Sequence, residues 1–305
     1  ETLPTFRSRV QFPSPAPLML FILFVKMIIW ISSYPKSGNT YLRSFLSAYY
    51  FSKDGKFDFD LLLNIHQFPG IKFFEKKINN KTEASKNWIL SQEKFFDKKK
   101  IHFLKTHNCL IPFNGNDFTT QNQTIGVIYI VRDPRNLITS LTHHYSLEYY
   151  EALDYMLDKD KGLLEKAVDN DHSNFAFVSS WSNHYKSWIN NNTFKTMVIK
   201  YEELENNKYE IFRDVIIFIN TLSKKNISVD KEKLLNSIQS TNFVNLRNKE
   251  ENQGFEESVF SKKTGKKLRF FNLGFNNRWQ KILPEEIKIK VNNTFKNDLK
   301  FLKYN

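Results

Sequence analysis

The chain has 305 residues, of which 41% are hydrophobic and 25% charged, a composition that excludes intrinsic disorder. With 45 Lys+Arg against 32 Asp+Glu its net charge is +13, which predicts an anionic ligand or partner without choosing among nucleotides, nucleic acids, acidic glycans and membranes. The lone Cys109 excludes an intramolecular disulfide framework or a zinc site built on several thiolates, and it suits a reducing, cytoplasmic setting.

Residues 1–17 are rich in Pro, Ser and Arg and have no period, whereas 18–25 is an unbroken apolar run. From Leu18 to Ile31 the apolar stretch is 14 residues and contains Lys26. That is short of the roughly 20 a spanning helix needs, and no small-residue cleavage pattern follows. No membrane span is expected. Residues 1–26 read as an extension outside the native fold, with Met19 and Met27 as candidate starts, and 27–305 reads as one domain without linker or repeat.

Short continuous apolar runs predict buried strands over 27–33, 101–106, 124–131 and 196–200. Between and after them the pattern predicts helices over 40–51, 136–150, 175–190, 208–222 and 284–302, the last opened by Pro284-Glu285-Glu286. Strands alternating with helices predict an α/β fold, a central parallel sheet with helices on both faces. The polar stretches 53–100 and 247–267 read as loops or lids.

The densest signal follows the first strand, Ser33-Tyr34-Pro35-Lys36-Ser37-Gly38-Asn39-Thr40-Tyr41, a strand, a tight turn and a helix start. The first helical N–H groups have no internal partner there, the helix dipole favours an anion, and Lys36 adds a full charge. Gly38 lets the backbone approach the ligand. The lysine precedes the glycine and there is no first glycine, so this is not a Walker A loop and an ordinary ATPase or nucleotide kinase is disfavoured.

This stretch resembles the 5′-phosphosulfate-binding loop, Y-P-K-S-G-T-T-W, of the sulfotransferases that use 3′-phosphoadenosine 5′-phosphosulfate (PAPS). Asn39 replaces the first threonine of that pattern and Tyr41 the tryptophan. Lys105-Thr106-His107, at the end of the second long strand, resembles the family's K-T-H. Arg132-Asp133-Pro134-Arg135-Asn136, with Ser140 eight positions beyond Arg132, resembles its 3′-phosphate-binding segment. Eight positions is about two helical turns, enough to bring Ser140 back beneath the arginine. Looser likenesses are Tyr201-Glu202-Glu203 and Thr241-Asn242-Phe243. The closing R-K-G-x-x-G-x-W pattern is partial: Arg269 and Gly274 keep their spacing, Phe270 and Phe271 replace Lys and Gly, and Trp279 is displaced, leaving Lys266, Lys267 or Arg269 to supply charge.

The resemblance implies a P-loop-like fold and metal-free transfer of a sulfuryl group from PAPS to a hydroxyl or amine, leaving adenosine 3′,5′-bisphosphate (PAP). In that reading His107 is the general base, and Lys36 and Lys105 stabilise growing charge. Donor contacts come from Lys36, Ser37, Gly38, Asn39, Thr40, Tyr41, Arg132, Ser140, Tyr201, Thr241, Phe243 and Arg269. The acceptor is a small molecule or a glycan. Lysines in 53–100 and 154–174 lean toward an acidic or sugar-bearing acceptor, while the 29 phenylalanines would equally line an apolar pocket. The competing reading is a polyanion binder, suggested by charge, 15% aromatics and Lys98-Lys99-Lys100. The lysines are scattered and no RNA-binding signature is present, so no nucleic-acid partner is expected. The pair His143-His144 points in two directions on a helix and is expected to flank the acceptor cleft, not to hold a metal.

Overall fold

The computed structural model of the chain describes residues 28–95, 100–164, 170–261 and 263–304. The expected extension 1–26 lies outside these, as do Met27, Lys98, Lys99 and 165–169 of the lysine-bearing stretch 154–174. In chain order the elements begin β1 (Ile28–Ser33), α1 (Asn39–Phe51), β2 (His66–Gln67), α2 (Lys81–Phe95), β3 (His102–Thr106), β4 (Thr124–Val131), α3 (Pro134–Tyr145) and α4 (Tyr149–Leu157). They continue with β5 (Gly162–Leu164), β6 (Phe175–Phe177), α5 (Trp181–Ile189), β7 (Lys195–Lys200), α6 (Lys208–Leu222), α7 (Lys231–Ser240), α8 (Phe243–Gln253), α9 (Trp279–Ile282), α10 (Glu285–Thr294) and α11 (Lys296–Phe301).

The main sheet has the order β2-β3-β1-β4-β7, with every neighbouring pair parallel. Side chains alternate across each strand, so the continuous apolar runs feed two cores at once. Ile28, Trp30, Val127, Tyr129 and Val131 face one side, where α2, α3, α5 and α10 bring Trp88, Leu137, Trp181, Trp188 and Val291. Ile29, Ile31, Ile128, Ile130 and Ile199 face the other, beneath Phe45 of α1, Phe212 and Ile216 of α6 and Leu246 of α8. The expected parallel sheet with helices on both faces is what the chain forms.

Because β3 and β4 lie on opposite sides of β1, the chain reverses its direction of winding there. A crevice opens beyond the carboxyl ends of these strands, the usual ligand site of an open α/β sheet. The loops carrying Lys36, His107 and Arg132 all leave from that edge, and Tyr201 follows β7 on the same side.

Several elements depart from the sequence reading. α3 stops at Tyr145 because Ser146 takes a left-handed conformation (φ 57°), and α4 begins afresh behind a capping box between Glu148 and Glu151. Phe175–Phe177, expected as the start of a helix, is a strand paired with β5, and α5 starts at Trp181 behind the Ser180 N-cap. The described part of the stretch 53–100 is no lid: Phe68, Phe73 and Trp88 from it are buried in the core and α2 runs through it. α8 likewise occupies the start of the supposed loop 247–267. Among the described residues no helix is long and apolar enough to cross a membrane.

Candidate active site

The turn between β1 and α1 is the foundation of the site. Lys36 sits at φ 66° and Gly38 at φ 99°, two left-handed positions on either side of Ser37 that turn the backbone up to the helix N-terminus. At Gly38 no other residue fits, since a Cβ there would meet Tyr201 Cδ2 at 2.4 Å. Asn39 braces the turn from below, its Nδ2 donating to the Ile31 carbonyl at 3.0 Å and to Ser33 Oγ at 3.2 Å. Its side-chain donor therefore serves the loop.

A cavity of about 540 Å³ opens above this turn, lined by Lys36, Gly38, Asn39, Thr40, Tyr41, Lys105, His107, Arg132, Ser140, Tyr201 and Phe243 among others. Eleven of the site residues read from sequence thus meet at one place. Lys36 Nζ lies 3.2 Å from His144 Nδ1 and 3.9 Å from the centroid of Phe270. Burial first, then the Lys36 ammonium, push His144 down to about 3. His144 is thus a neutral acceptor for Lys36, and both histidines of the pair line the cavity.

His107 Nδ1 is 2.7 Å from the Ser33 carbonyl oxygen. A carbonyl only accepts, so Nδ1 carries the proton and Nε2 keeps its lone pair. Burial, reinforced by Lys105, holds His107 down at about 3. The loop carrying it is fixed from behind by His184, whose Nε2 donates to the His107 carbonyl at 3.1 Å while Tyr129 Oη donates to His184 Nδ1 at 2.8 Å.

Arg132, at the end of β4, donates from Nη1 to the Lys36 carbonyl at 2.8 Å and lies 4.6 Å over the Tyr201 ring. Its buried Nε has no partner among the described residues. Asp133 does not pair with it. That carboxylate caps α3, accepting from Arg135 N at 2.9 Å and from the Arg135 guanidinium at 2.8 Å. Tyr201 stacks on Phe275 (5.1 Å, 24°), and Gly274 admits Phe243, whose ring a Cβ would meet at 2.6 Å. These rings form an aromatic wall suited to a purine. Tyr41 belongs more to the core, its ring 5.8 Å from Phe212 and edge-on to Phe275, with burial raising its phenol well above the ordinary value.

Three expected residues do not reach the cavity. Ser37 is fully buried beneath the turn. The Thr241 hydroxyl is turned back into α7, donating to the Ser237 carbonyl at 2.6 Å, because Thr241 is that helix's C-cap. Arg269 points outward to Glu251 at 3.1 Å, and Lys266 and Lys267 are exposed, so none of the three lines the cavity. What enters from this region is Phe270, over Lys36, and a carboxylate the sequence reading missed, Glu257. Glu257 accepts from Thr40 Oγ1 and from Arg43 Nη1, both at 2.7 Å, and lies 3.5 Å from Lys105 Nζ. Burial alone would raise its carboxyl, but Lys105 and Arg43 outweigh that and hold it well below the carboxylate range.

A lysine-bearing anion loop, a tautomer-fixed histidine and an arginine at three adjacent strand ends define a group-transfer site of the nucleotide-binding α/β class. The chain belongs to the sulfotransferase family, whose model, described as a sulfotransferase domain, matches residues 27–303. Its relatives include an amine sulfotransferase of Oryctolagus cuniculus, 19% identical over 276 residues, covering 85% of this chain and 80% of that protein. Another is sulfotransferase 1A1 of Rattus norvegicus, 23% identical over 190 residues, 62% of this chain and 58% of that protein. Mouse sulfotransferase SULT7A1 complexed with PAP shares the fold with TM-score 0.53 and 17% identity over 90% of this chain and 84% of that one. Retinol dehydratase in complex with androsterone and the inactive cofactor PAP does so with TM-score 0.56 and 15% identity over 90% and 80%.

Proposed function

We propose that the chain transfers the sulfuryl group of PAPS to a hydroxyl or amine of a small-molecule acceptor. The observation that carries this reading is the convergence of Lys36, Lys105, His107, Arg132 and Ser140 on one cavity at the sheet's carboxyl edge. Lys36 and the N–H groups at the start of α1, which lack intrahelical partners, receive the donor's 5′ end, Arg132 and Ser140 its 3′-phosphate, and the Tyr201, Phe275 and Phe243 rings its adenine. The acceptor oxygen or nitrogen attacks sulfur and its proton passes to His107 Nε2. As the bridging O–S bond breaks, Lys36 and Lys105 stabilise the charge that PAP carries away.

For the acceptor, the aromatic and apolar wall of Pro69, Tyr145 and Phe270 supports a small, largely apolar compound ahead of a glycan. The lysines that suggested a sugar, such as Lys81, Lys86 and Lys94 of α2, are exposed on the outer surface and absent from the cavity lining. The buried, unpaired thiol of Cys109 keeps a cytoplasmic setting within this reading. The test is transfer of labelled sulfate from PAPS to a panel of phenols, alcohols and amines. PAPS-dependent product that is lost with His107→Ala is expected; a product formed from ATP in the absence of PAPS overturns the reading.

A further inference from the structure

α1 reads Asn-Thr-Tyr-Leu-Arg-Ser-Phe-Leu-Ser-Ala-Tyr-Tyr-Phe, and Arg43 is its one charged residue. Thr40 and Arg43 are three apart, hence on one face of the helix. Arg43 is only 6% exposed and Lys105 only 5%. Both cations belong to the scaffold, on α1 and β3. They converge on one oxygen of Glu257, which Arg43 Nη1 reaches at 2.7 Å and Lys105 Nζ at 3.5 Å, while Thr40 Oγ1 donates to the other oxygen at 2.7 Å. Arg43 also donates from Nη2 to the Ile65 carbonyl at 3.1 Å, and its buried Nε has no partner among the described residues.

Two nearly buried cations on one seat require an anion beside them. The one they have comes from a strap. Gly254 (φ 77°) ends α8, and the chain that follows carries Glu257 and returns through Phe270 and Phe271. The strap hangs on Glu250, which accepts from Ser258 Oγ at 2.7 Å, from Phe270 N at 2.6 Å and from Phe271 N at 2.9 Å. The Glu257 side chain is 28% exposed, against 7% for Arg43 and 6% for Lys105. The anion is therefore the member of this cluster that can leave, and Thr40 and Lys105 line the same cavity as Lys36, to which the donor's 5′ end was assigned above. A carboxylate offers two oxygens and leaves the Arg43 Nε unmet; a phosphate offers three terminal oxygens.

We propose that Arg43 is a donor-site residue and that Glu257 is a built-in occupant of the Thr40-Arg43-Lys105 seat, displaced when the 5′-phosphate of the nucleotide arrives. The inference rests on the PAPS reading. Donor affinity is then set by competition with an internal carboxylate, and donor binding and opening of the 254–261 strap are one equilibrium.

The probe is PAP, titrated by calorimetry into the whole chain and into Glu257→Gln, which is close in size and lacks the charge. Glu257→Gln is expected to bind PAP at least tenfold more tightly, and the double variant Glu257→Gln/Arg43→Met to lose that gain. Equal or weaker binding by Glu257→Gln, with the wild type binding, overturns the inference and leaves the PAPS reading standing. So does unchanged PAP affinity with a raised KM for an amine acceptor, which would make Glu257 an acceptor contact. Failure of both proteins to bind at millimolar PAP defeats the PAPS reading itself. Hydrogen exchange on the wild type needs no variant: saturating PAP is expected to speed exchange of the 254–261 amides, and unchanged or slower exchange there contradicts displacement.

Discussion

His107 donates its Nδ1 proton to the Ser33 carbonyl oxygen at 2.7 Å, so the loop after β3 is tied to the end of β1. This one bond selects the tautomer and leaves Nε2 as a lone-pair base at the cavity where Lys36 and Lys105 stand.

Replacing His107 with alanine is accordingly expected to reduce turnover by about 10²-fold or more, with PAP affinity within about twofold of wild type. Single-turnover transfer and a PAP titration on the same preparation check this. Near-wild-type turnover would remove His107 from the role of base.

Gly38→Ala places a methyl 2.4 Å from Tyr201 Cδ2 at a backbone angle of φ 99°. Either the turn or the tyrosine must move, and both line the cavity proposed for the nucleotide. A loss of at least about tenfold in PAP affinity is expected, with thermal unfolding lowered by about 1–3 kcal/mol of strain. Wild-type affinity would mean that Tyr201 does not contact the base.

Thr241→Val and Arg269→Ala probe the two expected contacts that the fold turns away from the cavity. Both should leave PAP affinity within about twofold, and Thr241→Val should cost about 1 kcal/mol in urea unfolding through its lost bond to Ser237. A tenfold loss of affinity in either would restore it to the donor site.

Acid should destabilise the fold well above the carboxylate range. His107, His144 and His184 are each held at about 3 against 6.5 for the free ring, chiefly by burial. Between those values the unfolded chain binds protons that the folded chain refuses, so stability rises with pH through the window and is lost on acidification. Each histidine adds up to about 1.4 kcal/mol per pH unit within it. Glu202, raised by burial, acts in the opposite sense as a single group. The urea midpoint is therefore expected to be lower at about pH 5 than at about pH 7.5; an equal or higher midpoint would contradict the burial of these rings as neutral groups.

The sheet was legible because strands buried on both faces are continuous apolar runs, as in Ile28–Ser33 and Thr124–Val131. The three main motifs were legible because each follows such a strand. α2 was not, since Lys81–Phe95 buries chiefly Ala84, Ser85, Trp88, Ser91 and Gln92, too polar a stripe to show a helical period. Phe175–Phe177 was misread because three residues carry too little pattern to tell strand from helix. Thr241 and Arg269 fell on motif positions, but a helix end and a surface ion pair fixed where their side chains point. Glu257 lies in a polar stretch with no local signature, and only the folded chain brings it to Thr40, 217 positions away. Arg43 did leave a signal, a single charge in an otherwise uncharged helix, one turn after the anion loop.

The most direct measurement is a calorimetric titration of PAP into the wild type and into Arg132→Ala. One site per chain in the micromolar range, weakened about tenfold or more when the guanidinium is removed, is the expected result. No binding at millimolar PAP, or binding indifferent to Arg132, would contradict the assignment of this cavity to the sulfuryl donor.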